Sequence, residues 1–251
     1  MIIIKNNQAI NKMREAGKRL SEVLAESVAF TKPGLTTFEI DSFIEKKIIT
    51  LKLEPRCKGY MGYKHASCIS VNDIVVHGVP SSLILKDNDL VKIDVCASYN
   101  NYCADMARPK YLGLSVNKRI LEMLDTAKIA LSMGTAAAIK GNRIGDISYA
   151  IQKVIDANKF GILRDFAGHG IGKKMHEDPE VLNYGKSGTG EYIQPGMTFA
   201  IEPMITMGDE EVYIDTDGWT VRTKDKSYST HIEDTVLVTD NGPEVLTNSL
   251  I

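Results

Sequence analysis

Val91-Lys92-Ile93-Asp94-Val95 and Phe199-Ala200-Ile201-Glu202-Pro203 read alike: each is a short, mostly apolar run with one carboxylate in or just after it. Runs of this kind form strands, so both acids are expected at or near a strand end. The two lie 108 residues apart, and the same offset lays the stretch from Lys32-Pro33-Gly34 over that from Lys140-Gly141-Asn142. Self-similarity at a fixed offset marks a duplicated unit. The expectation is two related αβ halves, roughly residues 1–112 and 113–251, facing each other with one carboxylate each at the seam.

The flanking sequence fits that plan. Ile10, Met13, Ala16, Leu20, Val23 and Leu24 recur at helical spacing over residues 7–30, and Pro33-Gly34 breaks the run. A second helix starts at Thr37. Ala66 to Val76 reads as two short strands around Asn72-Asp73, and Leu90 to Val95 as a strand. Tyr99 to Tyr102 is a turn into another strand near Ala104. The order then repeats: a helix over 117–140, a break at Gly141-Asn142 and a helix over Ile147–Ile155. Glycine-rich loops follow, with strands at Met197–Ile201 and Thr235–Val238. The fold class is α+β, one unit spanning residues 1–251, with no linker long enough to separate independent domains.

Composition narrows the partners. The 251 residues are 43% hydrophobic and 25% charged, enough apolar material for a core, with a formal net charge of −2. Stable nucleic-acid binding calls for a basic excess that is missing here. A secretory segment needs about 7–15 consecutive apolar residues, and a membrane span about 18 or more. The opening Met1-Ile2-Ile3-Ile4-Lys5 is too brief for either, which gives the expectation of a cytoplasmic protein with no membrane partner. The four cysteines form no CxxC pair, consistent with reduced thiols.

Asp94, Asp105, Glu202, Glu233 and His169 are the candidate hard-metal ligands. One acid alone is an ordinary cap or surface charge. Four gathered in one place are prohibitively costly to bury without cations. Four carboxylates and one imidazole suit two borderline divalent ions, Co, Mn, Fe or Zn. Such a pair, about 3.5–4 Å apart, activates water and polarises an amide carbonyl. In Ala167-Gly168-His169-Gly170-Ile171-Gly172 the glycines are expected to allow a close, strained backbone that points His169 inward. His77 and His176 also sit beside Gly or Pro turns and suit proton transfer or oxyanion stabilisation. No HExxH, GxSxG or GxGxxG occurs, Glu191 stands where a P-loop lysine belongs, and a Cys68 thiol nucleophile is set aside.

Cys68 to Pro80, Val91 to Val95, Gly168 to Gly172, Gly196 to Met204 and Asp217 to Val221, in this order and spacing, resemble the methionine aminopeptidases of the bacterial type I form. The resemblance covers nearly the whole chain. It implies the pita-bread fold, with a central antiparallel sheet covered by helices, and removal of the initiator methionine from nascent chains whose second residue is small. It makes Asp94, Asp105, His169, Glu202 and Glu233 the ligands of two metal ions, with Asp105 and Glu233 shared. His77 then assists the leaving nitrogen, His176 the carbonyl oxygen, and Glu202 shuttles a proton. The methionine pocket maps onto Cys57, Tyr60, Tyr63, Cys68, Met175 and Trp219, alongside His77 and His176. The resemblance leaves no N-terminal extension and no type II insertion between His176 and Glu202. It also implies a monomer with transient ribosome contact. Two rivals remain: a Xaa-Pro aminopeptidase or dipeptidase on the same fold, and a binding module without catalysis. The chain departs from the family at His231-Ile232-Glu233-Asp234-Thr235, where Gln-aromatic-Glu-His-Thr is usual, and at Met175, usually Phe. Asp234 is therefore expected to add an acid beside the metals.

Overall fold

The computed structural model describes residues 1–113 and 117–247. The first half runs α1 (Asn7–Phe30), α2 (Thr37–Thr50), β1 (Glu54–Pro55), β2 (Cys68–Val71), β3 (Ile74–Val76), β4 (Leu90–Tyr99) and β5 (Tyr102–Tyr111). The second runs α3 (Lys118–Ala137), α4 (Ile144–Ala157), β6 (Gly161–Ile162), β7 (Gly168–Gly170), β8 (Glu177–Val181), β9 (Thr198–Ile201) and β10 (Met204–Thr206). It continues through β11 (Val212–Ile214), β12 (Val221–Thr223), β13 (Ser229–His231), β14 (Asp234–Thr239) and β15 (Gly242–Val245). Shifting α1, α2 and β4 by the 108-residue offset brings them onto α3, α4 and β9, so the duplication seen in the sequence is structural.

Each helix forms where its sequence gives one apolar stripe. On α1 that stripe is Met13, Ala16, Leu20, Val23 and Leu24, all fully buried, the four larger side chains contributing about 1.5–3 kcal/mol each. α2 starts at Thr37 as expected, and its start is fixed by Thr36. Its hydroxyl accepts from Glu39 N at 3.2 Å, while the Glu39 carboxylate accepts from Thr36 N at 2.7 Å. The apolar positions of α2 (Ile40, Ile44, Ile48) pack with α1 against β4 and β5 in one core cluster. Those of α3 and α4 (Ile120, Met123, Ile147, Ile151) join β9 and β14 in another. α4 begins at Ile144, ahead of its expected start, because Asp146 caps Arg143 N at 2.7 Å.

All strand pairing is antiparallel. The β4–β5 hairpin closes through Asn100 and Asn101, with φ of 48° and 64°, the left-handed pair a two-residue turn needs. β9 lies between β14 and β7, and the bridge Ala107↔Glu233 joins β5 to the strand edge of the second half. The inner side of that junction carries the site. β7 and β8, read from the sequence as glycine-rich loop, are strands. Among the described residues no helix is long and apolar enough to cross a membrane.

Candidate metal centre

Register alone gathers three of the carboxylates. Asp94 is directly opposite Ala107 on β5, and Ala107 is directly opposite Glu233. Residues directly opposite in antiparallel strands share a face, so Asp94 and Glu233 stand on one side with the small Ala107 between them. Asp105, two residues before Ala107, is on the same face by the period of two. Its backbone is pinned by Thr235, whose hydroxyl accepts from Asp105 N at 2.9 Å and donates to Asp105 O at 2.8 Å.

The second half supplies the rest in the same way. His169 on β7 is opposite Ala200 on β9, and Glu202 follows two residues on, so imidazole and carboxylate share a face. His169 Nε2 lies 3.6 Å from Glu202 Oε1. His169 Nδ1 is 2.9 Å from Gly170 O. As donor to that carbonyl, Nδ1 carries the proton and leaves the Nε2 lone pair facing Glu202 Oε1, two acceptors that a cation would join; this is the tautomer a metal ligand requires. The neighbouring glycines serve by close approach. Gly168 and Gly170 are extended, and a Cβ would come within 2.4 Å of Ala200 O and 2.1 Å of Asp178 O. The expected strain is therefore absent at this pair. Positive φ falls instead on His77 (φ 57°), a conformation that costs a non-glycine residue on the order of 1 kcal/mol or more.

All thirteen residues singled out in the sequence line one cavity of about 190 Å³. Asp105, His169 and Glu233 offer ligand atoms within 4.8 Å of one another, as do Glu202, His231 and Glu233. Asp105 Oδ1 and Glu233 Oε1 are buried without a hydrogen-bond partner among the described residues. Burial, then the charges of its neighbours, raises Asp94 and Asp105 to about 8. Burial also raises Glu202 to about 8 and lifts Glu233 well above the usual carboxylate range. Burial lowers His77 to about 4 and His169 to about 3, so both imidazoles are neutral at physiological pH. Acids crowded this tightly need positive charge to ionise together, and the neutral imidazole and bare carboxylate oxygens are the donor set that borderline divalent ions take.

The remaining walls divide by chemistry. Cys57, Tyr63, Cys68, Met175 and Trp219 belong to one apolar cluster. Tyr63 meets Trp219 edge-on at 5.0 Å and donates to Ser67 O at 3.0 Å. Trp219 is held by Asp217, which accepts from Trp219 N and Thr220 N at 2.8 Å. β12 then pairs with β3, bringing that tryptophan beside the His77 segment. His176 Nδ1 lies 2.9 Å from Tyr60 Oη, and its ring centroid is 4.3 Å from that of His169.

Five further residues line the cavity that were not among the site assignments made from the sequence: Val76, Phe166, Ala167, Met204 and His231. His231 had a readable signal, since it precedes Glu233 by two in an extended run and so shares its face. The apolar four had none. Asp234 points the other way by the same alternation. Its carboxylate accepts from Arg108 Nη2 at 2.7 Å and Thr247 Oγ1 at 2.8 Å and does not line the cavity. The acid expected beside the metals is thus neutralised by an arginine on the far face.

Two helix-covered αβ halves with a buried carboxylate–imidazole cluster at their seam define a pita-bread metallohydrolase. The chain matches metallopeptidase family M24 over residues 11–240. It is 42% identical over 248 residues to a methionine aminopeptidase of Clostridium acetobutylicum, covering 98% of this chain and 99% of that one. A crystal structure of methionine aminopeptidase from Thermotoga maritima superposes with a TM-score of 0.97 at 39% identity, over 99% of this chain and 100% of that one. Prolidase from Pyrococcus furiosus gives a TM-score of 0.81 at 25% identity, and this chain spans 66% of it. The protein belongs to metallopeptidase family M24 and is a hydrolase.

Proposed function

We propose that this enzyme removes the N-terminal methionine from nascent chains whose second residue is small. The observation that carries the reading is the adjacency, within one cavity, of a sulfur-and-aromatic slot and the four-carboxylate cluster. A thioether side chain fits such walls through sulfur–aromatic and dispersion contacts. The cavity, about 190 Å³, is smaller than the roughly 300–1,000 Å³ typical of drug-sized ligands. Little room remains past the scissile bond once a methionine occupies the slot, which limits the second residue to a small one. Likeness to methionine aminopeptidases over nearly the full chain supports the same reading, and we infer further a monomer acting in the cytoplasm and meeting the ribosome transiently.

Asp94, Asp105, His169, Glu202 and Glu233 would hold two divalent ions (Co, Mn, Fe or Zn), with Asp105 and Glu233 shared. When bound, such a pair supplies Lewis acidity and a water acidic enough to deprotonate near pH 7. The chain's own groups do the rest. Glu202 accepts the proton of the attacking water and can pass it on, acting as general base. His176, with Tyr60 Oη on Nδ1, presents its other nitrogen to the carbonyl oxygen as charge grows there. His77, neutral and fixed by its strained backbone, hydrogen-bonds the departing nitrogen. Cys57, Tyr60, Tyr63, Cys68, Met175 and Trp219 hold the methionine so that only the terminal peptide bond reaches the carboxylates.

The test compares turnover of Met-Ala-Ser and Ala-Pro peptides by the protein loaded in turn with Co, Mn, Fe and Zn. Methionine release with no Ala-Pro cleavage is expected. Preferential Ala-Pro cleavage would overturn the reading in favour of a Xaa-Pro peptidase, and no cleavage with any ion would leave a binding module.

A further inference from the structure

The five ligands named above contain a single imidazole, yet the cluster contains two that face carboxylate oxygens. His231 ends β13 and is 2% exposed. Its Nε2 has no hydrogen-bond partner among the described residues, and it lies 3.3 Å from Glu202 Oε2 and 3.8 Å from Glu233 Oε2. Glu202 is therefore flanked on both oxygens, by His169 at Oε1 and by His231 at Oε2. Donors about 2.1 Å from one ion at near-tetrahedral angles stand about 3.4 Å apart. Both histidine–glutamate separations match that spacing.

The ligand-forming groups have the same pattern. Asp105, His169 and Glu233 make one set and Glu202, His231 and Glu233 the other, each with one histidine and with Glu233 common to both. We propose that His231 is a sixth ligand of the centre, its Nε2 holding one of the two ions, so that each ion takes an imidazole. This rests on the dinuclear reading above. An imidazole favours zinc-like ions, whereas Mn suits carboxylate and carbonyl oxygens. His231 therefore biases its ion toward Zn or Co and away from Mn.

Metal-free enzyme is titrated with Co, Zn and Mn, following heat and, for Co, visible absorption, beside the variants His231→Gln and His231→Asn. Wild-type protein is expected to take up two equivalents. In both variants the first equivalent binds as before, which also reports correct folding. The second binds at least tenfold more weakly for Zn and Co, with little change for Mn, and its Co absorption band shifts. Two equivalents with wild-type affinities and an unchanged Co spectrum in either variant would overturn the proposal. So would loss of both equivalents together in both variants, which would make His231 a structural residue. Fewer than two equivalents in the wild type would instead bring down the dinuclear reading, so the two failures are separable.

Discussion

Stripping the metal should invert the pH dependence of stability over one narrow window. Asp94, Asp105 and Glu202 ionise near 8 when buried together, against about 4 in an unfolded chain. A carboxyl whose folded value is raised stays protonated in the native state while the unfolded state loses its proton. Its contribution is fully present below about pH 4 and is lost as pH rises toward 8. His77, His169 and His231 act oppositely: held near 3 to 4, they weaken the fold only as pH falls below about 6.5. Between about pH 6.5 and 8 the three carboxyls are opposed by Lys92, which burial lowers to about 7 and which therefore strengthens the fold as pH rises past that value. Each net proton retained on folding costs about 1.4 kcal/mol per pH unit, so a net excess of one retained proton removes about 2 kcal/mol across the window. For a chain of this size that is a fall of roughly 4–8 °C in Tm. The assay is thermal unfolding by circular dichroism at pH 6.5, 7.0, 7.5 and 8.0, after chelation and after reloading with Co or Mn. Metal-free protein should lose Tm steadily, and loaded protein should be flat or rise. A metal-free Tm that is flat or rising over this window would refute the claim that these acids share one buried, cation-dependent site.

Three substitutions follow from the same geometry. Glu202→Ala should abolish peptide turnover, since on the proposed mechanism it removes the proton acceptor and a cluster carboxylate together; full activity in a peptide assay would contradict that. His77→Ala should lower kcat about 10²–10⁴-fold while metal content by elemental analysis stays at the wild-type level. Arg108→Met strands the Asp234 carboxylate, whose side chain is 12% exposed. Loss of a buried partner costs about 3–5 kcal/mol, to be read from urea unfolding at pH 7.

Much of this was legible in the sequence because duplication and alternation are simple periodicities. Capped helices, an Asn-Asn hairpin and a carboxylate at each β run could be read from residue order alone. The strands at Gly168–Gly170 and Glu177–Val181 were not, for a physical reason. Gly168 and Gly170 carry no β-propensity, and their extended state is imposed by neighbours that leave no room for a Cβ. That information lies in Ala200 and Asp178, distant in the chain or across a turn. Phe166 and Met204 likewise look like core until the fold opens a cavity beside them.

The run from His231 to Thr235 shows how little separates a residue of the carboxylate cluster from a strut. Side chains alternate along it, so His231, Glu233 and Thr235 face the cluster while Asp234 faces Arg108. Thr235 holds the Asp105 backbone, and Asp234 ties the same strand edge to Arg108 of β5. The bridge Ala107↔Glu233 is next to both ties. The polar pair on the far face thus fixes the register that puts Asp94 and Glu233 on either side of Ala107. A one-residue slip here would turn Asp234 inward and Glu233 outward, exchanging a bare carboxylate for one already spoken for. Arg108 Nη1 also donates to Glu233 O at 2.6 Å, so the arginine holds the backbone of a cluster carboxylate directly.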